Sequence, residues 1–66
     1  MKITVNGKEW SVAAGSTVAD LLGKFKISPK VCAVELNGKI LKREKLLKTL
    51  INEGDTVEVI RMMGGG

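Results

Sequence analysis

The 66-residue chain has no histidine and no tyrosine, and it has one each of cysteine, proline, tryptophan and phenylalanine. With no histidine, and no second cysteine to give Cys32 a CxxC partner, no metal-binding motif can be written. The lone thiol excludes an internal disulfide framework, and a free cysteine in an unstapled small domain suits a reducing cytoplasm. No apolar run approaches the roughly 18 residues of a membrane span. Met1-Lys2 leads directly into a strand pattern and not into a signal peptide. The expected location is therefore cytoplasmic, with no membrane partner. Trp10 and Phe25 are the only aromatics, so aliphatic side chains must supply the core, with these two rings joining it. That leaves no aromatic free for base stacking, and no nucleic-acid partner is expected although a small RNA-binding module remains a remote alternative.

Sixty-six residues make one domain. At this size folding hides only about 60% of the surface of the unfolded chain, which leaves no room for a cleft with its own catalytic shell. An enzyme is the least expected class. The hydrophobic fraction of 44% still calls for a folded domain. Lys and Arg number 11 against 7 Asp and Glu, a net charge of +4. Lys39, Lys42, Arg43, Lys45 and Lys48 concentrate that charge, either as solvated surface or as a patch that steers an acidic partner.

Lys2 to Val5 alternates as a half-buried strand with Ile3 and Val5 inward, and Asn6-Gly7 is a type I′ hairpin signal. Trp10 and Val12 continue the inward phase on the return strand. Thr17 with Asp20 resembles a capping box, and Val18, Leu21, Leu22 and Phe25 form one apolar stripe of a helix. The spacing predicts about three turns, halted at Ser28-Pro29 because the residue before proline is pushed out of the α region. Val31 to Leu36 is a second strand with Cys32, Val34 and Leu36 inward, and Asn37-Gly38 turns it into a short return over Lys39 to Leu41. Leu46, Leu47, Leu50 and Ile51 have helix-like spacing in a charged crossing with one helical turn, and Thr56 to Arg61 forms the last strand after a turn at Glu53-Gly54-Asp55. The terminal strand can pair parallel to the first at the centre of a mixed sheet. The expected fold is α+β, a ubiquitin-like β-grasp with four to five strands, one helix on one face, a domain over residues 1–61 and a flexible tail over 62–66.

That tail reads Met62-Met63-Gly64-Gly65-Gly66. A glycine run packs nothing and gains little from being ordered, so on its own it reads either as a frayed end or linker or as a tail thin enough to thread a narrow channel and present a terminal carboxylate. Gly64 and Gly65 would do the threading. Ile60, Arg61, Met62 and Met63 are the candidate docking residues: the thioethers adapt to irregular apolar surfaces, and Ile60 alternates onto the face opposite Val57 and Val59. Cys32, in inward phase on a strand, reads as a buried small hydrophobe and not as a nucleophile.

Several segments, in order, resemble the ThiS group of sulfur carrier proteins: Val5-Asn6-Gly7, Gly15 to Leu22, Ala33 to Gly38, Arg43-Glu44, Glu53 to Glu58 and the final Gly65-Gly66. The ThiS group lies alongside the MoaD group within the β-grasp proteins. Lys42 and Lys45-Leu46 stand where many relatives have a proline and an aromatic, and the glycine run is one residue longer. The resemblance implies a chain without catalytic residues or a metal whose Gly66 carboxylate is adenylated and converted to a thiocarboxylate, the sulfur going to thiazole assembly in thiamine biosynthesis. It implies as partners a ThiF/MoeB-like adenylyltransferase using ATP and Mg²⁺, a persulfide sulfur donor, and thiazole synthase or another sulfur-accepting enzyme. No cofactor is expected on the chain itself. A MoaD-like carrier for molybdenum or tungsten cofactor synthesis and a ubiquitin-like protein modifier are the alternatives.

Overall fold

The computed structural model describes residues 1–62. Strand β1 (Lys2–Val5) and strand β2 (Lys8–Ser11) form the first hairpin, followed by helix α1 (Val18–Lys24). A 3₁₀ turn at Pro29–Val31 leads into β3 (Cys32–Leu36), which turns back as β4 (Lys39–Leu41). A second 3₁₀ turn, Arg43–Lys45, opens the crossing to β5 (Thr56–Arg61). The sheet order is β2-β1-β5-β3-β4. β5 runs parallel to β1 (Val5 beside Val57) and antiparallel to β3, so the last strand is central. This is the predicted β-grasp sheet, with five strands.

Both hairpins turn on Asn-Gly with positive φ at each residue, 48° and 81° at Asn6-Gly7 and 51° and 86° at Asn37-Gly38, as a type I′ turn requires. Each asparagine also reaches the central strand. The Asn6 side chain accepts from the Val59 N–H at 2.7 Å and donates to the Val59 carbonyl at 3.2 Å, continuing the β1–β5 ladder beyond the end of β1. The Asn37 side chain accepts from the Thr56 N–H at 2.9 Å.

The helix starts as expected and stops earlier. Thr17 Oγ1 accepts from the Asp20 N–H at 3.1 Å while the Asp20 carboxylate accepts from the Thr17 N–H at 2.9 Å, a closed capping box. The helix ends after seven residues, about two turns, well before Ser28-Pro29. Lys26 takes φ +57°, its N–H donates to the Gly23 carbonyl at 3.1 Å, and the Ile27 N–H donates to the Leu22 carbonyl at 3.0 Å. That pair of bonds is a Schellman motif, with lysine where glycine is usual, and it satisfies the last carbonyls before proline becomes relevant.

The core lies between this helix and one face of the sheet. Val18, Leu21 and Leu22 pack over Ile3, Val5, Cys32, Val34 and Val57, and Val12, Leu46 and Ile51 close the rim. Two sequence expectations fail at that rim, the burial of Trp10 and Phe25 and the strand start at Val31, while the crossing has its one helical turn at Arg43–Lys45. Trp10 has the inward phase, opposite Ile3, yet is 42% exposed, and Phe25 is half-buried. Trp10 sits on edge strand β2, where Phe25 at the end of the helix meets it, the two rings edge to face at 4.9 Å. In the crossing Leu46 and Ile51 are buried, whereas Leu47 and Leu50 are 76% and 56% exposed. The 3₁₀ turn ends before Leu46, and the irregular chain after it buries two of the four and exposes the other two. Val31 belongs to the 3₁₀ turn before β3 and not to the strand, because Pro29 holds the chain in that turn.

Candidate functional site

With the helix on one side, the opposite face of the sheet carries no element among the described residues. Strand alternation puts Thr56, Glu58 and Ile60 of β5 on that bare face, with Ala33 and Glu35 of β3 and Ile40 of β4. Register then groups the apolar ones. Ile60 pairs with Ala33, Glu58 with Glu35, and Glu35 in turn with Ile40. One step further along, the Met62 N–H donates to the Val31 carbonyl at 2.8 Å, so Val31 lies alongside Met62 just past the end of β5. Ile60, Met62, Val31 and Ile40 are all exposed, Ile40 by 72%. The result is an apolar strip on the bare face that runs to the root of the C-terminal segment, with two like-charged glutamates at its far end.

Of the candidate docking residues, Ile60 and Met62 join this strip. Arg61 does not: alternation turns it to the helix side, paired with Cys32. Met63, Gly64, Gly65 and Gly66 lie outside the described residues. The sequence reading missed Val31, Ala33 and Ile40. Period-two alternation gave their outward phase, but only the strand order reveals that β3 lies beside β5 on that face, with β4 beyond it.

Cys32 is buried, as its phase predicts. Burial pushes its thiol above the ordinary range, opposed by the positive charges of Arg61 and then Arg43. A thiol held protonated is a poor nucleophile. No group of three His, Cys, Asp or Glu among the described residues could hold a metal ion. A hollow of about 220 Å³ lies on the helix side, lined by Val12, Ala13, Ser16, Asp20, Leu21 and Lys24. Its carboxylate, Asp20, is already committed to the helix cap. No helix among the described residues is long and apolar enough to cross a membrane.

Known proteins share both the sequence and this architecture. The family model described as ThiS family matches residues 2–66. The sulfur carrier protein ThiS of Bacillus subtilis is 30% identical, with 97% of this chain and 98% of that protein covered. A thiazole synthase of Paramagnetospirillum magneticum is 35% identical over the whole chain, which spans only 20% of that protein's length. A crystal structure of the thiamine biosynthesis protein ThiS from Geobacter metallireducens superimposes with a TM-score of 0.85 at 42% identity, with both chains fully covered. A match over nearly every residue, the same fold, and a relative of the same length together place the chain: it belongs to the ThiS family.

Proposed function

We propose that this chain is a sulfur carrier of thiamine biosynthesis, with Gly66 as the carrying residue and the bare sheet face as the surface that docks it. The observation that supports this most directly is the apolar strip of Ile40, Ala33, Ile60, Val31 and Met62, which leads to the start of the Gly-rich segment. An exposed apolar strip leading to a C-terminal carboxylate suits a protein whose end is worked on by others.

A carboxylate must be activated before sulfur can displace oxygen. In the proposed sequence a partner adenylyltransferase uses ATP and Mg²⁺. The Gly66 carboxylate oxygen attacks the α-phosphorus, expelling pyrophosphate and forming an acyl-adenylate. A persulfide sulfur from a donor enzyme then attacks the acyl carbon and AMP leaves. A thiol cleaves the resulting sulfur–sulfur bond and frees the thiocarboxylate, which passes its sulfur to the enzyme assembling the thiazole. This chain supplies no base, nucleophile or metal to these steps; it presents the reacting atom and holds the docking strip in register. Glycines at 64, 65 and 66 fit that task because a Cβ there would obstruct both the channel and the attack on the acyl carbon.

The test is ATP–pyrophosphate exchange catalysed by the cognate adenylyltransferase. Gly65→Val and Gly66→Val are expected to abolish exchange with unchanged circular dichroism. Ile60→Asp is expected to raise KM for the carrier roughly tenfold or more, the scale of losing one buried interface contact. Normal exchange with either valine variant contradicts the proposal.

A further inference from the structure

Each hairpin turn sets an asparagine before a glycine, so no Cβ shields the following backbone nitrogen from the side-chain amide carbon. Asn37 and Gly38 are both exposed. A reaction open to this pair consumes only water. The Gly38 nitrogen attacks Cγ of Asn37, a C–N bond forms, the Cγ–Nδ2 bond breaks, and the amide nitrogen leaves as ammonia with the Gly38 proton. Water then opens the five-membered imide at one of its two carbonyls. One opening gives aspartate at position 37; the other gives isoaspartate, with the main chain rerouted through the former side chain.

What distinguishes Asn37 is where its amide is held. Oδ1 accepts from the Thr56 N–H at 2.9 Å, and Nδ2 donates to Asp55 Oδ1 at 3.0 Å. Its own N–H donates to the Thr56 carbonyl at 2.8 Å. The side chain thus reaches across to the start of β5, and both of its bonds must open before its carbon can turn back onto Gly38. Asp55 has further partners. Its second carboxylate oxygen accepts from the Asn52 N–H at 2.7 Å and its N–H donates to the Asn52 carbonyl at 3.1 Å, closing the turn at Gly54 (φ +83°) that leads into β5. Asn6 is held instead by backbone groups of Val59, which carry no charge. Of the two turns, the one at Asn37 would set its new carboxylate against an existing one, in place of the donor that Asp55 now has.

We propose that Asn37 is a site of spontaneous deamidation, gated by its bonds to Thr56 and Asp55, and that the product loosens the turn from which β5 starts. The step needs no partner and is independent of the carrier chemistry. Two carboxylates at hydrogen-bond distance repel where an amide and a carboxylate attract. Isoaspartate adds a main-chain atom to a two-residue turn that fixes the β3–β4 register.

The experiment follows the full chain at neutral pH by peptide mapping with mass spectrometry, which reads replacement of NH₂ by OH at Asn37, and compares folded protein with protein in strong urea. Conversion at Asn37 is expected in both, slower in the folded chain by roughly ten- to hundredfold, the factor that two side-chain hydrogen bonds supply. Equal rates in the two states overturn the gating, and a folded chain still unconverted after many hundreds of unfolded half-lives overturns the site. The consequence is read by urea unfolding. Asn37→Asp is expected to raise the unfolding equilibrium constant roughly tenfold, the scale of one surface hydrogen bond to a charged group. Asn37→Asp/Asp55→Asn exchanges amide and acid, sets a donor opposite an acceptor again, and is expected to recover most of that loss. A single variant as stable as the parent, or a double variant no more stable than the single, overturns the link to Asp55.

Discussion

Asn6 carries two demands that the Asn-Gly motif expresses only in part. It must adopt positive φ for the turn, and its amide must replace the backbone partner that β5 loses where β1 stops, through bonds of 2.7 and 3.2 Å to Val59. Glycine meets the first demand and not the second. Asn6→Gly is therefore expected to keep the hairpin and lower stability by about 1–2 kcal/mol, the usual loss for two solvent-accessible hydrogen bonds. Urea unfolding with an unchanged m-value checks this. The turn was legible in the sequence because it is local. The bond to a residue 53 positions away was not, because only the strand order brings Val59 to Asn6. Lys26 gives the same lesson: its φ of +57° is set by the carbonyls the helix end must satisfy, and no turn residue announces it.

At the scale of elements, the sequence carried the type and order of every strand and the helix start, since each rests on alternation, a turn dipeptide or a capping pair. Element lengths and the fate of the rim residues were less legible. Phe25 and Trp10 follow the correct period, but whether a residue in phase is covered depends on what the neighbouring element lays over it, and at edge strand β2 the helix end brings up Phe25 and leaves Trp10 42% exposed. A helix this short depends on its cap and its packing, because isolated helices under about 12 residues are marginal in water. Thr17→Ala removes one bond of the capping box and frees the other, and is expected to cost about 1–2 kcal/mol. Amide hydrogen exchange should show Asp20 and Leu21 losing protection before the strands do; uniform loss across the domain would mean the helix is not a separately opening unit.

For the whole molecule, the sheet divides two surfaces of different character. One face is closed by the helix and holds the core. The other carries no element among the described residues and leads, through Ile60 and Val31, to Met62 at the root of the C-terminal segment. The candidate residues on β5 could be read from alternation, whereas the strip they belong to required β3 to be placed beside them and β4 beyond it. The most direct measurement is the intact mass of the chain isolated from its own cells, where exchange of one carboxylate oxygen for sulfur adds about 16 Da. The carrier account predicts a fraction of molecules bearing that addition, localised to Gly66 and absent from a Gly66→Val variant. A chain that stays at its unmodified mass while its cells are actively making thiamine would contradict it.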